Sequence, residues 1–364
     1  MKNNLNVYCP VNAATGYGIT STNTSLSLNK LVDVALFNIG GQMNVDNESQ
    51  KEHVTKMLNR LKEYDKNAPC LKIWHQHDLA SRVGVGDYYV MPFFELDKLH
   101  ETEVYQINQA DGIFTPSKWS KKVLEDNGVT IPVYVAPLGV NLDIFNTKQL
   151  KVENEEYTFL HVGKWEKRKS QDFLLEAFGK AFTPEDNVRL WLVPHNPFLN
   201  QDQVKEWHKL VEDNPMTSKI TVFDRLPNQN TVSEIMNKAD CGVFLSRAEG
   251  WNNEIPEMMA MNRPIIATNY SAHTEYCTNK NSFLVDVDET EPADDGMWFR
   301  GQGNWAKLGE KQLEQTVEHM RFVYNNNVYT NPNGVETARL YSWDNTASVI
   351  HQTLLENNSY NVKT

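Results

Sequence analysis

The chain has 364 residues, 40% hydrophobic and 23% charged, an ordinary globular composition that excludes a disordered, collagen-like or disulfide-stapled miniature protein and suits two domains. Formal net charge is -12, with 14 Lys and Arg against 16 Asp and Glu in residues 1–150 and 21 against 31 in residues 151–364. This balance argues against capture of a phosphate backbone as the main activity. Short apolar runs alternate with amphipathic stretches, the pattern of βα units around a parallel sheet. Residues 5–10 read as a first strand, 13–20 as a glycine loop and 32–38 as a second strand. Across residues 51–66, Val54, Met57, Leu58 and Leu61 recur at helical spacing, and the mixed charges opposite them predict a solvated helix face rather than a membrane-surface helix. Residues 71–74 form a strand running into His75, Gln76, His77 and Asp78, and 88–94 the next. A strand and turn at 111–117, a helix at 119–126, a strand at 133–136 and a polar linker at 141–156 complete the first half.

The pattern then restarts, with strands at 157–162, 189–193, 241–246 and 264–268 and helices at 170–181, 231–239 and 256–261. A further helix is expected near 343–355, and the acidic run 286–295 reads as a solvated loop, its Asp286-Val-Asp288 triplet included. Cys9, Cys70, Cys241 and Cys277 are scattered without a Cys-x-x-Cys pair, which points to neither a zinc site nor a disulfide framework and fits a reducing cytoplasm. The first residues have no signal-peptide core, and no apolar run nears the ~18 residues a membrane span needs. At most weak membrane association is expected.

Two segments carry chemistry. In the first, residues 246–260, Glu249 follows a buried strand at the end where open α/β sheets bind ligands, and Glu257 follows Pro256 in the first turn of a helix. Between them Gly250, Asn252 and Asn253 let the backbone approach a ligand closely. Two carboxylates either side of an exposed turn suit the hydroxyls of a sugar or ribose, although Glu257 has a second use, stabilising a helix N-terminus. In the second segment a strand ends at Gly163, then Lys164, Lys167, Arg168 and Lys169 precede a helix opening near Ser170. Cations beside the free N–H groups of a helix N-terminus suit a diphosphate; taken alone, the same residues also read as a solvated basic loop. No Gly-x-Gly-x-x-Gly with a following ribose-binding acid follows a strand, so a dinucleotide fold is disfavoured.

Together these segments resemble the family-4 retaining glycosyltransferases of the GT-B fold. Glu249 and Glu257 match the family's Glu-x7-Glu element, and Gly163, Lys164 and Lys169 its phosphate element, with Ser170 in place of the last Gly. Residues 137–145, which begin Pro137-Leu-Gly-Val-Asn141, look like the interdomain signature, 110–117 like the strand before it, and 263–268 with Glu275 fit a further element. The likeness is good over roughly 70–285 and weak elsewhere. It implies an α/β GT-B architecture, two Rossmann-like domains facing a cleft: an acceptor domain over 1–148, a donor domain over 149–340, and a C-terminal helix in 341–364 that packs back on the N-terminal domain. It also implies metal-independent transfer, with retention, from a nucleotide diphosphate sugar to a hydroxyl, with no cofactor. By the same likeness Lys164 and Lys169 neutralise the diphosphate, Glu249 contacts the transferred sugar and Glu257 the ribose, and His77 faces the donor sugar, with His75 its competitor. Gly16 and Gly18 match the glycine loop near the diphosphate, Arg225 lies in the base-binding stretch, Trp251 occurs in one branch, and Glu95 is a candidate acceptor contact. The family's Gly-Phe-Gly-Leu-Pro is replaced here by Gly250-Trp-Asn-Asn-Glu254, and the Gly before Arg263 by Asn262; no purpose for Glu254 follows from the sequence. The acceptor stays open among a glycan or lipid-linked glycan, a small molecule and a hydroxylated base in DNA. Rival activities are a sugar-nucleotide epimerase or hydrolase and a non-catalytic nucleotide-sugar binder.

Overall fold

The computed structural model describes residues 2–13, 15–41, 43–45, 47–148 and 155–361. They fall into two compact units: Met1–Phe94 with Lys98–Val140 and Leu340–Thr364, and Glu95–Asp97 with Asn141–Arg339. The change of unit thus comes at Asn141, before the expected 148/149 boundary; much of the expected linker, 149–154, lies outside the described residues.

The first unit runs β1 (Asn4–Cys9), α1 (Gly16–Leu31), β2 (Asp33–Asn38), α2 (Glu48–Asn59), β3 (Cys70–Lys72), β4 (Tyr88–Val90), α3 (Glu101–Ile107), β5 (Gly112–Thr115), α4 (Lys118–Asp126) and β6 (Val133–Val135). Its strands form one parallel sheet in the order β2-β1-β3-β4-β5-β6. The chain reverses direction across the sheet between β1 and β3, so the loops leaving these two strands flank a crevice at their carboxyl ends.

Helix α1 corrects the expectation of a glycine loop over 13–20. Thr15 caps it, its hydroxyl accepting from the Gly18 N–H at 3.2 Å. The helix is rich in Ser, Thr and Asn and shows no apolar stripe, yet Thr20, Ser21, Thr24 and Ser25 are fully buried. Part of the polarity is satisfied within the helix: Ser21 donates to the Tyr17 carbonyl at 2.6 Å and Asn23 to that of Ile19 at 2.9 Å.

The second unit runs β7 (Tyr157–Val162), α5 (Gln171–Ala181), β8 (Val188–Val193), α6 (Gln201–Glu212), β9 (Ile220–Val222), α7 (Gln229–Lys238), β10 (Cys241–Phe244), α8 (Glu254–Ala260), β11 (Ile265–Asn269), β12 (Phe283–Asp286), β13 (Thr290–Asp294), β14 (Arg300–Ala306), α9 (Glu310–Asn325) and α10 (Pro332–Leu340, whose last residue falls in the first unit). Strands β7–β12 form a parallel sheet in the order β12-β11-β10-β7-β8-β9. Its reversal point lies between β7 and β10, paired Phe159 to Cys241 and Leu160 to Gly242. The core beneath it is apolar and dense, with Phe159, Phe178, Leu190, Leu192 and Val243 all fully buried.

The acidic run 286–295 is not a solvated loop. It begins at the end of β12 and supplies β13, which pairs antiparallel with β14 in a hairpin. Asp288 is ion-paired to Lys311 at 2.6 Å. The chain ends with α11 (Trp343–Glu356), which belongs to the first unit and packs along α1. Its Trp343, Ala347, Ile350 and Leu354 are buried at helical spacing. Among the described residues no helix is long and apolar enough to cross a membrane.

Candidate functional site

At the reversal point of the second sheet, the turns leaving β7 and β10 bring the two predicted segments together. After β7 the chain passes Gly163 and Lys164, makes a single 3-10 turn over Lys167–Lys169, and enters α5 at Gln171 rather than Ser170. Ser170 links them in the left-handed region, with φ 58°. Gly163 has little room for a side chain: an added Cβ would lie 3.0 Å from the His161 ring and 3.4 Å from the Lys169 stem.

Glu249 stands on the turn after β10, a strand that ends at Phe244 and not at 246. Its backbone N–H donates to the Ser271 hydroxyl oxygen at 2.9 Å. Its two carboxylate oxygens are divided between cations: Oε1 lies 2.6 Å from Lys169 Nζ and Oε2 lies 2.8 Å from Arg168 Nη1. Arg168 also holds Glu166 through Nε at 3.0 Å and Nη2 at 3.2 Å, and Nη1 donates to the Ala248 carbonyl at 2.7 Å. All three charged partners are buried. Burial works to raise the Glu249 carboxyl, but Arg168 and Lys169 outweigh it and hold the group well below the ordinary carboxylate range. Arg168 and Lys169 are likewise kept charged: burial opposes their charge, and Glu166 and Glu249 overcome it at Arg168, Glu249 and Glu254 at Lys169.

Helix α8 begins at Glu254, two residues earlier than expected, which makes Pro256 its third residue; that position needs no N–H partner within the helix, so proline is accommodated. Glu257 follows in the next position and is buried, its N–H donating to the Asn253 carbonyl at 3.1 Å. Glu254 sits within electrostatic reach of Lys169 and Glu249, and burial followed by Glu249 pushes its carboxyl up against the pull of Lys169. Glu95, one of three residues of 95–97 that join this unit, has a carboxyl also pushed up, by burial and then by Glu166 and Glu249, with Arg168 opposing.

Other predicted residues are placed differently. Trp251 is buried with its ring edge-on to Tyr276 at 4.9 Å, and the Tyr276 hydroxyl donates to the Trp251 carbonyl at 2.5 Å, so this side chain is part of the packing beneath the turn. Asn252 is left-handed at φ 80°, and its side-chain amide meets the His273 ring at 3.1 Å. Lys164 is exposed, 3.8 Å from Glu166. Arg225 is exposed on the loop after β9 and takes no part in the ion pairs of the cluster. Gly250 and Asn253 lie on the turn between Glu249 and α8.

Glu166 and His273 belong to this site and were not singled out from sequence, and Arg168, read there only as one cation of the segment, proves to be the partner of both Glu166 and Glu249; only the fold brings these groups together. His273 is buried, its ring against the Thr268 carbonyl at 3.0 Å, and His161 lies against the Val243 carbonyl at 2.8 Å. Burial lowers both to about 4, so each imidazole is neutral near pH 7. Among the described residues no group of three or more His, Cys, Asp or Glu is arranged to hold a metal ion.

In the first unit the reversal point brings Gly16 and Gly18, after β1, to the same sheet edge as His75 and His77, after β3. Both glycines fall in the first turn of α1. A Cβ on Gly18 would lie 1.9 Å from the Asn12 carbonyl oxygen, whereas one on Gly16 would meet nothing within 4 Å. The His75 ring packs 4.3 Å from Tyr17 and is stacked with the exposed His77 at 5.2 Å.

Residues 156–295 match the family model described as glycosyl transferases group 1. That match covers less than half of the chain, and this stretch is similar to the family's domain. It holds Lys164, Arg168, Lys169, Glu249 and Glu257 together, and ends before β14. Alpha-monoglucosyldiacylglycerol synthase of Streptococcus pneumoniae is 23% identical over 173 residues, 44% of this chain but only 38% of that protein's length. Sucrose-phosphate synthase from Thermosynechococcus elongatus superposes with a TM-score of 0.72 at 14% identity, covering 99% of this chain and 100% of that one. HepE from Anabaena, solved in complex with UDP-glucose, gives 0.70 at 14%, covering 97% and 100%. These structural likenesses show that the chain has the GT-B fold.

Proposed function

We propose that this protein moves a sugar, with retention and without a metal ion, from a nucleoside diphosphate sugar to an acceptor hydroxyl. The observation that carries the reading is the Arg168–Glu249–Lys169 cluster at the reversal point between β7 and β10, where open parallel sheets bind ligands. HepE holds UDP-glucose in its structure, which supports a donor of that class.

The diphosphate takes its place against Lys164, Lys169 and the N-terminus of α5. In the reaction the bond between the anomeric carbon and the diphosphate oxygen breaks, and its electron pair stays on the diphosphate. Cations beside that oxygen stabilise the developing charge. The acceptor oxygen bonds to the anomeric carbon on the same face and passes its proton to the departing diphosphate oxygen. Glu249 fixes Arg168 and Lys169 and offers carboxylate oxygens to the sugar hydroxyls; Glu257 serves the ribose.

A thermal-shift series with UDP, GDP, ADP and their common sugars, run with and without EDTA, tests donor binding. One nucleotide is expected to stabilise the protein with EDTA present. Lys164→Ala, exposed and free to fold, is expected to lose that stabilisation. Lys169→Ala is expected to lower transfer by about 10²–10³-fold; a folded Lys169→Ala protein that transfers at the wild-type rate would overturn the assignment.

A further inference from the structure

A cavity of about 350 Å³ in the second unit lies between α6, the start of α5 and the tip of the β13–β14 hairpin. Its size suits a ligand of a few sugar rings. Its lining includes three indoles, of which Trp165 is buried beneath Trp207. Trp165 and Trp207 are stacked at 5.0 Å with their planes 10° apart, and Trp298 stands on the hairpin tip, 54% exposed. Such exposure of an indole is costly in water unless a partner covers it.

The tip is held in place. The Asp295 carboxylate accepts from the backbone N–H groups of Met297, Trp298 and Phe299 at 2.8, 2.8 and 2.9 Å. Gly296 supplies the left-handed turn at φ 70°, Lys167 ties the hairpin to the turn after β7 by donating to the Asp294 carbonyl at 2.7 Å, and the Trp298 ring rests edge-on against Phe198 at 5.9 Å. An exposed aromatic with its backbone fixed in this way is set to receive a ligand with little ordering cost.

The charged lining is mainly acidic, with Glu166, Asp172, Glu206 and Asp295 against the single cation Lys167, and Asn196 and Gln203 add neutral polar groups. Carboxylates accept hydrogen bonds from hydroxyls and repel anions, while indole faces receive the C–H face of a pyranose. We propose that this cavity is a binding subsite for a neutral oligosaccharide, beside the Glu249 cluster and selective against acidic sugars. The cavity reaches Glu166, whose partner Arg168 holds Glu249, and Lys164 lies 5.5 Å over the Phe198 ring, so the bound chain would run beside the donor phosphates. Naming that saccharide the acceptor rests on the transfer reading above; the binding does not.

The test is binding of maltotetraose and cellotetraose, followed by tryptophan fluorescence and calorimetry without nucleotide, against tetragalacturonic acid of equal length. At least one neutral tetrasaccharide is expected to bind saturably, the uronate about tenfold or more weaker, and Trp298→Ala to weaken binding by about tenfold while its melting temperature stays at the wild-type value. No saturable binding by either neutral sugar, equal binding of the uronate, or unchanged binding by Trp298→Ala overturns the subsite. Nucleotide stabilisation measured in parallel separates the two readings: a nucleotide shift without sugar binding sinks the subsite alone, and sugar binding without a nucleotide shift sinks the donor site alone.

Discussion

His161 and His273 are buried imidazoles with values near 4 in the folded protein against 6.5 as free groups. Between those values the unfolded chain binds more protons than the folded one, so stability rises with pH; the contribution is complete above about 6.5 and is lost as pH falls towards 4. From pH 6.5 to 5 each histidine is expected to remove about 1.5 kcal/mol, and urea unfolding at the two pH values should show a smaller difference in His273→Gln. Ser170, Asn252 and Asn262 share another property, with φ of 58°, 80° and 63°. The resembling family has glycine at all three, so the departures are substitutions at left-handed positions where asparagine is tolerated and serine less so. The Ser170 hydroxyl is also buried without a hydrogen-bond partner. Ser170→Gly relieves both faults and loosens the unfolded chain, leaving a net gain of roughly 0.5–1 kcal/mol, readable as a higher urea midpoint.

Two elements hold functional loops in place by packing that their sequences conceal. The β13–β14 hairpin buries Trp305 fully against Ala248, next to Glu249, with Phe299 at 5.4 Å; Asp97 accepts from the Asn304 N–H at 2.7 Å. Arg247 accepts the Ala306 N–H on its carbonyl at 2.8 Å, which ties the hairpin to the Glu249 turn directly. Trp305→Ala is expected to cost about 3–5 kcal/mol and to weaken nucleotide stabilisation along with it. Helix α1 separates the two glycines. Gly18→Ala drives a Cβ into the Asn12 carbonyl and should lower the melting temperature sharply. Gly16→Ala meets nothing, and as a helical Gly to Ala change it should leave stability level or raise it by up to about 1 kcal/mol. A fall in transfer by Gly16→Ala with no loss of stability would mark Gly16 as the place where a ligand approaches the backbone.

The chain returns to its first unit at the end: α11 packs on α1, Val140 donates to the Tyr341 carbonyl at 3.0 Å, and Gly139 meets Trp343 so closely that a Cβ would lie 2.1 Å from its backbone nitrogen. Trp343, Ile350 and Leu354 each bury a large apolar group, at about 1.5–3 kcal/mol apiece. A protein ending at Arg339 is therefore expected to lose the cooperative calorimetric transition of the first unit while the second unit still melts. The buried strands, the Glu249 and Glu257 spacing and the cations after β7 were legible in the residues because hydrophobic runs and short-range spacing are local properties. The extent of α1, the hairpin hidden in an acidic run, and the division of Glu249 between Arg168 and Lys169 were not. Each depends on neighbours far away in the chain: burial of a polar helix requires α11, a strand in acidic sequence requires Trp305 and Arg247, and an ion pair requires the β7 and β10 turns to be side by side.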